Sequence, residues 1–196
     1  VGGVYGTPGE DANVTSAWDS VRGKGVVIGI VDDGIDETHE DLDDNYRADL
    51  SKDFVGGAKD DDHGTPVAGI VAAEGNNGAG VSGVAPEASI ADLRKLGKRQ
   101  TDSESASILS HKNQEIDIYQ NSWSPGKNKN PINLISPGLA TLNQMELGVK
   151  EGRNGLGNIY VFSAGNNRER DWDKDGNITK FGDDNVNNNG YANSRF

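Results

Sequence analysis

The amino-acid sequence predicts an α/β fold, in which helices flank a parallel β-sheet. Short apolar runs, typical of strands buried on both faces, alternate along the chain with segments of helical character. Aspartate, asparagine and glycine follow directly after these runs, as expected where loops open at the carboxyl ends of parallel strands. The 196 residues are enough for one domain with a hydrophobic core, and the 27 glycines indicate long loops.

The predicted elements follow one another in chain order. Strands are predicted at 26–31, 90–93, 116–123 and 158–163, helices at 14–21, 64–74, 102–112 and 136–152, and loop at 43–62. Trp18 of the first helix is expected to turn inward. We expect Asp102 or Ser103 to cap the third helix and Ser136, which precedes Pro137, to cap the fourth.

The composition restricts the classes of partner. A net charge of −12 argues against nucleic acid or an anionic membrane and suits the binding of cations. Because cysteine is absent, a disulfide framework, a zinc–thiolate site and a cysteine nucleophile are excluded. No apolar run approaches the roughly 20 residues of a membrane span. The chain starts at Val1 rather than methionine, so we expect a processed, exported protein that is secreted, extracellular or periplasmic.

Three loops carry residues suited to catalysis. Asp32 follows the first strand, His63 precedes the second helix, and Asn166 follows the last predicted strand. A buried carboxylate that orients a histidine is the base half of a nucleophilic triad, and a side-chain amide can stabilise an oxyanion. The alternative for each is an ordinary turn aspartate or a structural histidine.

Several motifs carry a resemblance to a known family. The aspartate segment reads VDDGIDETHEDL, the histidine segment reads HGTPVAGIVAA, and the last loop reads SAGNN. With these motifs the chain resembles the subtilisin-like serine proteases, and DIYQNSW and NNNGYANS resemble their kexin/furin (proprotein-convertase) branch. The resemblance extends from Asn13 to Phe196 and implies a subtilisin-like sheet that is incomplete at its carboxyl end. It also implies that Asp32 orients the imidazole, that His63 is general base and then general acid, and that Asn166 stabilises the oxyanion.

The third member of the triad has no counterpart in the sequence. The nucleophilic serine of the family lies in a Gly-Thr-Ser-x-x-x-Pro segment, whose context is missing around Ser82, Ser122, Ser124 and Ser163. We therefore expect residues 1–196 to be the amino-terminal portion of a peptidase domain, with the serine on the remaining carboxyl-terminal segment. Without that serine the chain is expected to be inactive.

Calcium is the cofactor that the resemblance implies. In one site Asp41 would share an ion with the side chain of Asn77 and with backbone carbonyls near Gly75, Ala79 and Val81. Carboxylate, amide and carbonyl oxygens are the ligands that calcium prefers. The alternative is a plain glycine-rich loop.

A second calcium loop is predicted farther along the chain. Asp171, Asp173 and Asp175 form the pattern D-x-D-x-D-G, the front of an EF-hand-type loop. The twelfth position is glycine rather than glutamate, so the closing ligand would be Asp183, Asp184 or water. The resemblance also assigns Asp184 to a calcium ion beside the specificity pocket, and the alternative is a solvated acidic loop.

The resemblance places four substrate-binding residues in this chain: Asp33, Asp60, Ser122 and Trp123. Kexin-like enzymes cut peptide or protein substrates after paired basic residues, which carboxylates in the subsites recognise. Lys127 and Asn189 stand where the branch has acidic residues, and a lysine would repel an arginine side chain. A preference for basic residues therefore stays open.

The leading hypothesis is a calcium-stabilised, secreted serine endopeptidase of the kexin-like type. The alternatives are an inactive subtilisin-like module that binds peptides or a partner chain, and a surface module that binds calcium. The joint presence of Asp32, His63 and Asn166 favours the peptidase, because a binding module has no need of all three.

Overall fold

The computed structural model describes residues 12–124, 136–166, 171–172, 175, 178–180 and 189–192. Its strands are β1 (Val27–Val31), β2 (Lys52–Asp53), β3 (Ser89–Arg94), β4 (Ile118–Asn121), β5 (Ile159–Phe162), β6 (Asp171–Trp172) and β7 (Ile178–Lys180). Its helices are α1 (Gly64–Ala72), α2 (Asp102–Ile108) and α3 (Leu139–Gly155), with 3₁₀ turns at Val14–Ser16 and Asp43–Asn45. The first five strands form one parallel sheet in the order β2-β3-β1-β4-β5, which confirms the predicted α/β fold.

Strand β1 lies in the middle of the sheet and is buried over its whole length. Alternate side chains of a strand point to opposite faces, so β1 serves two cores. Ile28 and Ile30 pack in the core that includes alanines of α1, whereas Val27 and Val31 pack in the core that includes Met145 of α3. Helices therefore cover both faces, and the residue after β1 emerges at the carboxyl edge between two layers.

The caps of α2 and α3 differ from the predicted ones. Thr101 caps α2, and its hydroxyl and the Glu104 carboxylate bond to each other's backbone N–H in a capping box. Helix α3 has Gly138 at its N-cap, and the carboxylate of Asp102 accepts the backbone N–H groups of Ala140 and Thr141 at 2.8 and 3.1 Å. Asp102 thus caps the next helix rather than its own, because its side chain points across to α3.

Three further elements differ from the sequence-based predictions. The helix expected at 14–21 is only the 3₁₀ turn Val14–Ser16, although Trp18 is half-buried and donates from Nε1 to the carbonyl of Val84. The short exposed strand β2 and the antiparallel pair β6–β7 were not predicted, since neither has an apolar run. No helix in the described part of the chain is long and apolar enough to cross a membrane.

Candidate active site

The carboxyl ends of the parallel strands form one edge of the sheet, and the predicted catalytic residues lie along it. Asp32 follows β1 directly, and Asn166 lies shortly after β5. His63 is the N-cap residue of α1. Open α/β sheets hold their active sites at this edge, and the loops after β1 and β5 both open there.

Asp32 and His63 form the pair that the sequence predicts. Asp32 Oδ1 lies 2.8 Å from His63 Nδ1 and also accepts the backbone N–H of Asp33 at 2.9 Å. Asp32 is 0% exposed, whereas the His63 side chain is 56% exposed. The carboxylate therefore holds the ring through Nδ1 and leaves Nε2 as the nitrogen for a reacting group.

Both members of this pair have a raised pKa, and the cause differs between them. Burial raises the pKa of Asp32, and the hydrogen bond with His63 opposes that effect. The hydrogen bond to Asp32 raises the pKa of His63 above its usual value. Asp32 Oδ2 is buried and has no hydrogen-bond partner among the described residues, so His63 is the main partner of this carboxylate. A histidine with a raised pKa is a stronger base, which suits proton abstraction near neutral pH.

The start of α1 is held in place by the carboxylate of Asp33. Its Oδ1 accepts the backbone N–H of Gly64 at 2.7 Å, and its Oδ2 accepts the backbone N–H of His63 at 3.2 Å. A carboxylate is favourable there because the first N–H groups of a helix lack partners within it. A Cβ at position 64 would overlap the carbonyl oxygen of Gly34, so the close approach requires glycine. Asp33, predicted to bind substrate, is thus engaged in positioning the histidine.

Arg94, at the end of β3, links the loops around the pair, and sequence reasoning missed it. Its buried guanidinium donates from Nε to the carbonyl of Asp33 at 3.0 Å and from Nη1 to Asp53 Oδ2 at 2.9 Å. It also donates to the carbonyl oxygens of residues 56–58. One arginine therefore ties the segment after Asp32 to the loop that leads to His63.

Lys59 forms a second link between the same loops. Its Nζ donates to the carbonyl of Ile35 at 2.7 Å, and it pairs with the carboxylates of Glu37 and Asp92. Asp92 is 4% exposed, and its Oδ1 has no hydrogen-bond partner among the described residues. Burial raises the pKa of Asp92, so Lys59 compensates a carboxylate in an unfavourable place. The signal in the sequence was a charged residue inside the apolar strand β3.

The residues predicted to contact substrate have different surroundings. Asp60 and Asn166 are exposed. Ser122 is half-buried and accepts a hydrogen bond from a neighbouring glutamine at 3.1 Å. The Trp123 ring is buried and packs edge-on against other aromatic rings. Their roles toward substrate stay predictions.

Lysine at position 127 and asparagine at position 189 stand where the resemblance places acidic residues. Lys127 lies outside the described residues. Asn189 is buried, and its Oδ1 accepts the backbone N–H of Tyr191 at 3.0 Å. Asn189 therefore stabilises the turn that places Tyr191 against Trp123.

The first predicted calcium loop surrounds a buried carboxylate. Asp41 is 3% exposed, and it accepts hydrogen bonds from Asn77 Nδ2 at 3.0 Å and from the backbone N–H of Val81 at 2.8 Å. A Cβ at Gly80 would overlap Asp41 Oδ2, so the loop closes tightly over this carboxylate. No lysine, arginine or histidine among the described residues pairs with Asp41. The groups that contact this carboxylate are N–H donors of Asn77 and Val81, whereas Asn77 Oδ1, predicted as a calcium ligand, accepts the backbone N–H of Ala79 at 3.1 Å. Calcium at this loop, with the carbonyls of Gly75 and Ala79 as ligands, stays a prediction.

The second predicted calcium loop is described only in part. Asp171 belongs to β6, which pairs with β7, and Asp175 is exposed in the turn between them. Asp173 and Asp184 lie outside the described residues. No cluster of three or more His, Cys, Asp or Glu side chains that could hold a metal occurs within the described ranges. Both calcium sites stay predictions.

Comparisons with known proteins identify the family of the chain. Residues 23–192 match the family Peptidase_S8, described as the subtilase family. Neuroendocrine convertase 2 of Homo sapiens is 44% identical over 176 residues, which are 84% of this chain and 27% of that protein. The PC3-like endoprotease variant B of Hydra vulgaris is 37% identical over 207 residues, covering 100% of this chain and 27% of that protein. The chain therefore spans roughly a quarter of the length of these relatives.

Solved structures agree on the fold. The serine protease of Aeromonas sobria superimposes with a TM-score of 0.64 at 27% identity, covering 86% of this chain and 30% of that chain. The same protease in complex with the chaperone ORF2 gives a TM-score of 0.60 at 27% identity, covering 76% of this chain and 26% of that chain.

Proposed function

The chain belongs to the subtilase family, and on that premise we propose that it supplies the base half of a serine endopeptidase of the kexin-like type. The observation that carries the proposal is the 2.8 Å contact between Asp32 Oδ1 and His63 Nδ1 at the carboxyl edge of the sheet. The identity of 44% to a neuroendocrine convertase supports the branch. A peptide-binding module without activity would not need this oriented, solvent-facing imidazole.

The proposed mechanism assigns one step to each residue. His63 Nε2 takes the proton of a serine hydroxyl as that oxygen attacks the scissile carbonyl, and it then gives the proton to the leaving amine. Asp32 holds the ring and stabilises the imidazolium that forms between these steps. The side-chain amide of Asn166 donates a hydrogen bond to the oxyanion.

The serine is proposed to lie outside residues 1–196. No serine in this range has the Gly-Thr-Ser-x-x-x-Pro context. We expect residues 1–196 alone to cleave nothing, because loss of the serine costs about six orders of magnitude in turnover in subtilases. A carboxyl-terminal segment of the same protease is then the first partner of this chain.

Three finer properties belong to the same proposal. Calcium would be held by the loop around Asp41, supported by the burial of that carboxylate with no cationic side chain of the described residues paired to it. The substrate would be a peptide or protein cut after basic residues, with Asp60 as an exposed carboxylate for recognition. We propose that the protein is secreted because it is similar to a neuroendocrine convertase. The chain is not expected to bind nucleic acid or anionic membranes because its net charge is −12.

Replacing His63 by alanine in the full-length protein tests the proposed function. Cleavage of a fluorogenic dibasic peptide should fall by several orders of magnitude, because no other group takes the proton. His111→Gln is the matched control, since His111 bonds to the carbonyl of Leu50 away from Asp32. Undiminished cleavage by the His63 variant would show that the assignment is wrong.

A further inference from the structure

Lys95 is a buried lysine whose backbone bonds to Asp32 and whose ammonium group lies over Trp123. It follows β3 directly, is 9% exposed, and donates its backbone N–H to the carbonyl of Asp32 at 2.8 Å. Its Nζ lies 3.9 Å from the centre of the Trp123 ring. Strand β1 lies between β3 and β4, so this side chain reaches across the end of the strand that carries Asp32.

This ammonium group has no anionic partner in the described part of the chain. No carboxylate there lies within ion-pair distance of Lys95 Nζ. Burial without such a partner lowers the pKa of Lys95 to about 8. The neighbouring cations behave differently, because Arg94 pairs with Asp53 and Lys59 pairs with Asp92. Buried charges are normally paired, so the unpaired one needs an explanation.

The aromatic contact is only part of that explanation. A ring face attracts an ammonium group, but in a buried place it stabilises the charge less than a carboxylate does. Lys52 lies over Phe54 at 4.8 Å in the same way, yet Lys52 is exposed and water can solvate its charge. Lys95 is buried at the sheet edge where substrate is expected, and a perturbed, unpaired group in such a place is a candidate for binding.

We propose that Lys95 Nζ, held on the Trp123 ring, binds the carboxylate of a glutamate or aspartate side chain in the peptide substrate. The proposal rests on the endopeptidase function above and adds to it a second determinant of specificity. The acidic side chain would occupy a peptide position other than that of the basic residue. Because the net charge of −12 does not attract acidic peptides, the selection has to come from this local cation.

Paired peptides test the proposal in the full-length protein. The peptides are acetylated and amidated, and they differ only by glutamate or glutamine at each position around the scissile bond. At one position we expect kcat/KM for glutamate to exceed that for glutamine by about ten-fold or more, as for a charge-assisted hydrogen bond in a buried site. In Lys95→Met this ratio should fall to about one. An active wild type with no glutamate preference at any position, or a preference kept by the variant, overturns the proposal.

Control variants separate recognition from folding. Lys52→Met removes the exposed lysine that contacts Phe54 and should leave the ratio unchanged. Lys95→Met should unfold at the same temperature as wild type or a higher one, because it removes an unpaired buried charge. Lys95→Gln keeps a polar group of similar length and should lose the ratio as well.

A binding measurement keeps this proposal separate from the proposed function. The same peptides are competed for binding to the full-length His63→Ala protein, which needs no turnover. If wild type cleaves no peptide, the endopeptidase function is contradicted and the binding ratio decides the role of Lys95. Binding of the glutamate peptide about ten-fold more tightly than the glutamine peptide supports it, and equal binding overturns it.

Discussion

Replacing Lys59 by methionine measures how much the link between the two catalytic loops contributes to stability. The change removes the cation from Asp92, whose carboxylate is 4% exposed and already has one oxygen without a partner among the described residues. Breaking a buried pair by removing one partner costs about 3–5 kcal/mol. Because the Lys59 side chain is 32% exposed, we discount this to about 2–3 kcal/mol in the free energy of unfolding.

The loss should depend on pH. Burial raises the pKa of Asp92, and removing Lys59 raises it further. As the pH falls through this raised pKa, Asp92 takes up a proton and no longer needs a cation, so wild type and variant become more alike. The difference is therefore largest at alkaline pH, where Asp92 is charged in both proteins. Adding Asp92→Asn to the variant removes the unpaired charge and should recover most of the loss.

Urea unfolding of the full-length protein at about pH 8 and about pH 5 gives the comparison. The urea midpoint of Lys59→Met should be lower by about 1–2 M at the higher pH. Arg47→Met is the matched control, since its pair with Asp49 is exposed and should contribute under about 1 kcal/mol. A loss as small as that of the control, or one that neither low pH nor Asp92→Asn relieves, would refute the reasoning.

Three further predictions concern the same regions. Asp32→Asn should lower turnover about 10⁴-fold. It should also lower the pKa of His63, because the hydrogen bond to Asp32 raises that pKa in wild type. NMR titration of the His63 ring protons measures the change, and an unchanged pKa would contradict the contact. Removing calcium with a chelator should lower the unfolding temperature of wild type, and it should lower that of Asp41→Asn by less because this variant has lost one of the two predicted sites; the exposed Asp44→Asn should respond like wild type. An unchanged wild type would contradict both predicted calcium sites. Asp102→Ala should lower the free energy of unfolding by about 1–2 kcal/mol through loss of the α3 cap, with Ser103→Ala as the control. The hydrogen bond to Thr141 lowers the pKa of Asp102. The contribution of the cap is therefore present above the usual carboxyl range and disappears as the pH falls through the lowered pKa.

The parts of the site that the sequence predicts are those written in local patterns. The apolar run 26–31 is followed directly by Asp32, and the small residues after His63 indicate a helix that packs closely. Both positions could therefore be predicted from the sequence. Parallel pairing then follows from alternation of strands and helices. The side chains of Asp32 and His63 lie 2.8 Å apart because the strand end and the helix start meet at one edge.

The parts that were missed depend on contacts between distant segments. Lys59 and Asp92 are far apart in sequence, and nothing near either one indicates the other. The cap of α2 was predicted wrongly, although Thr101 and Glu104 have the local spacing of a capping box and could have indicated it. The cap of α3 had no such local signal, since Asp102 lies on another helix.

The cap that α3 takes from Asp102 has a consequence for the order of folding. The first turn of helix α3 takes the acceptor for two of its N–H groups from α2, because Asp102 lies on that helix. Strand β4 is synthesised between these helices and has to join the sheet while they come together. We therefore expect α2, β4 and α3 to form as one cooperative unit during synthesis, with α3 gaining protection from hydrogen exchange only when α2 does.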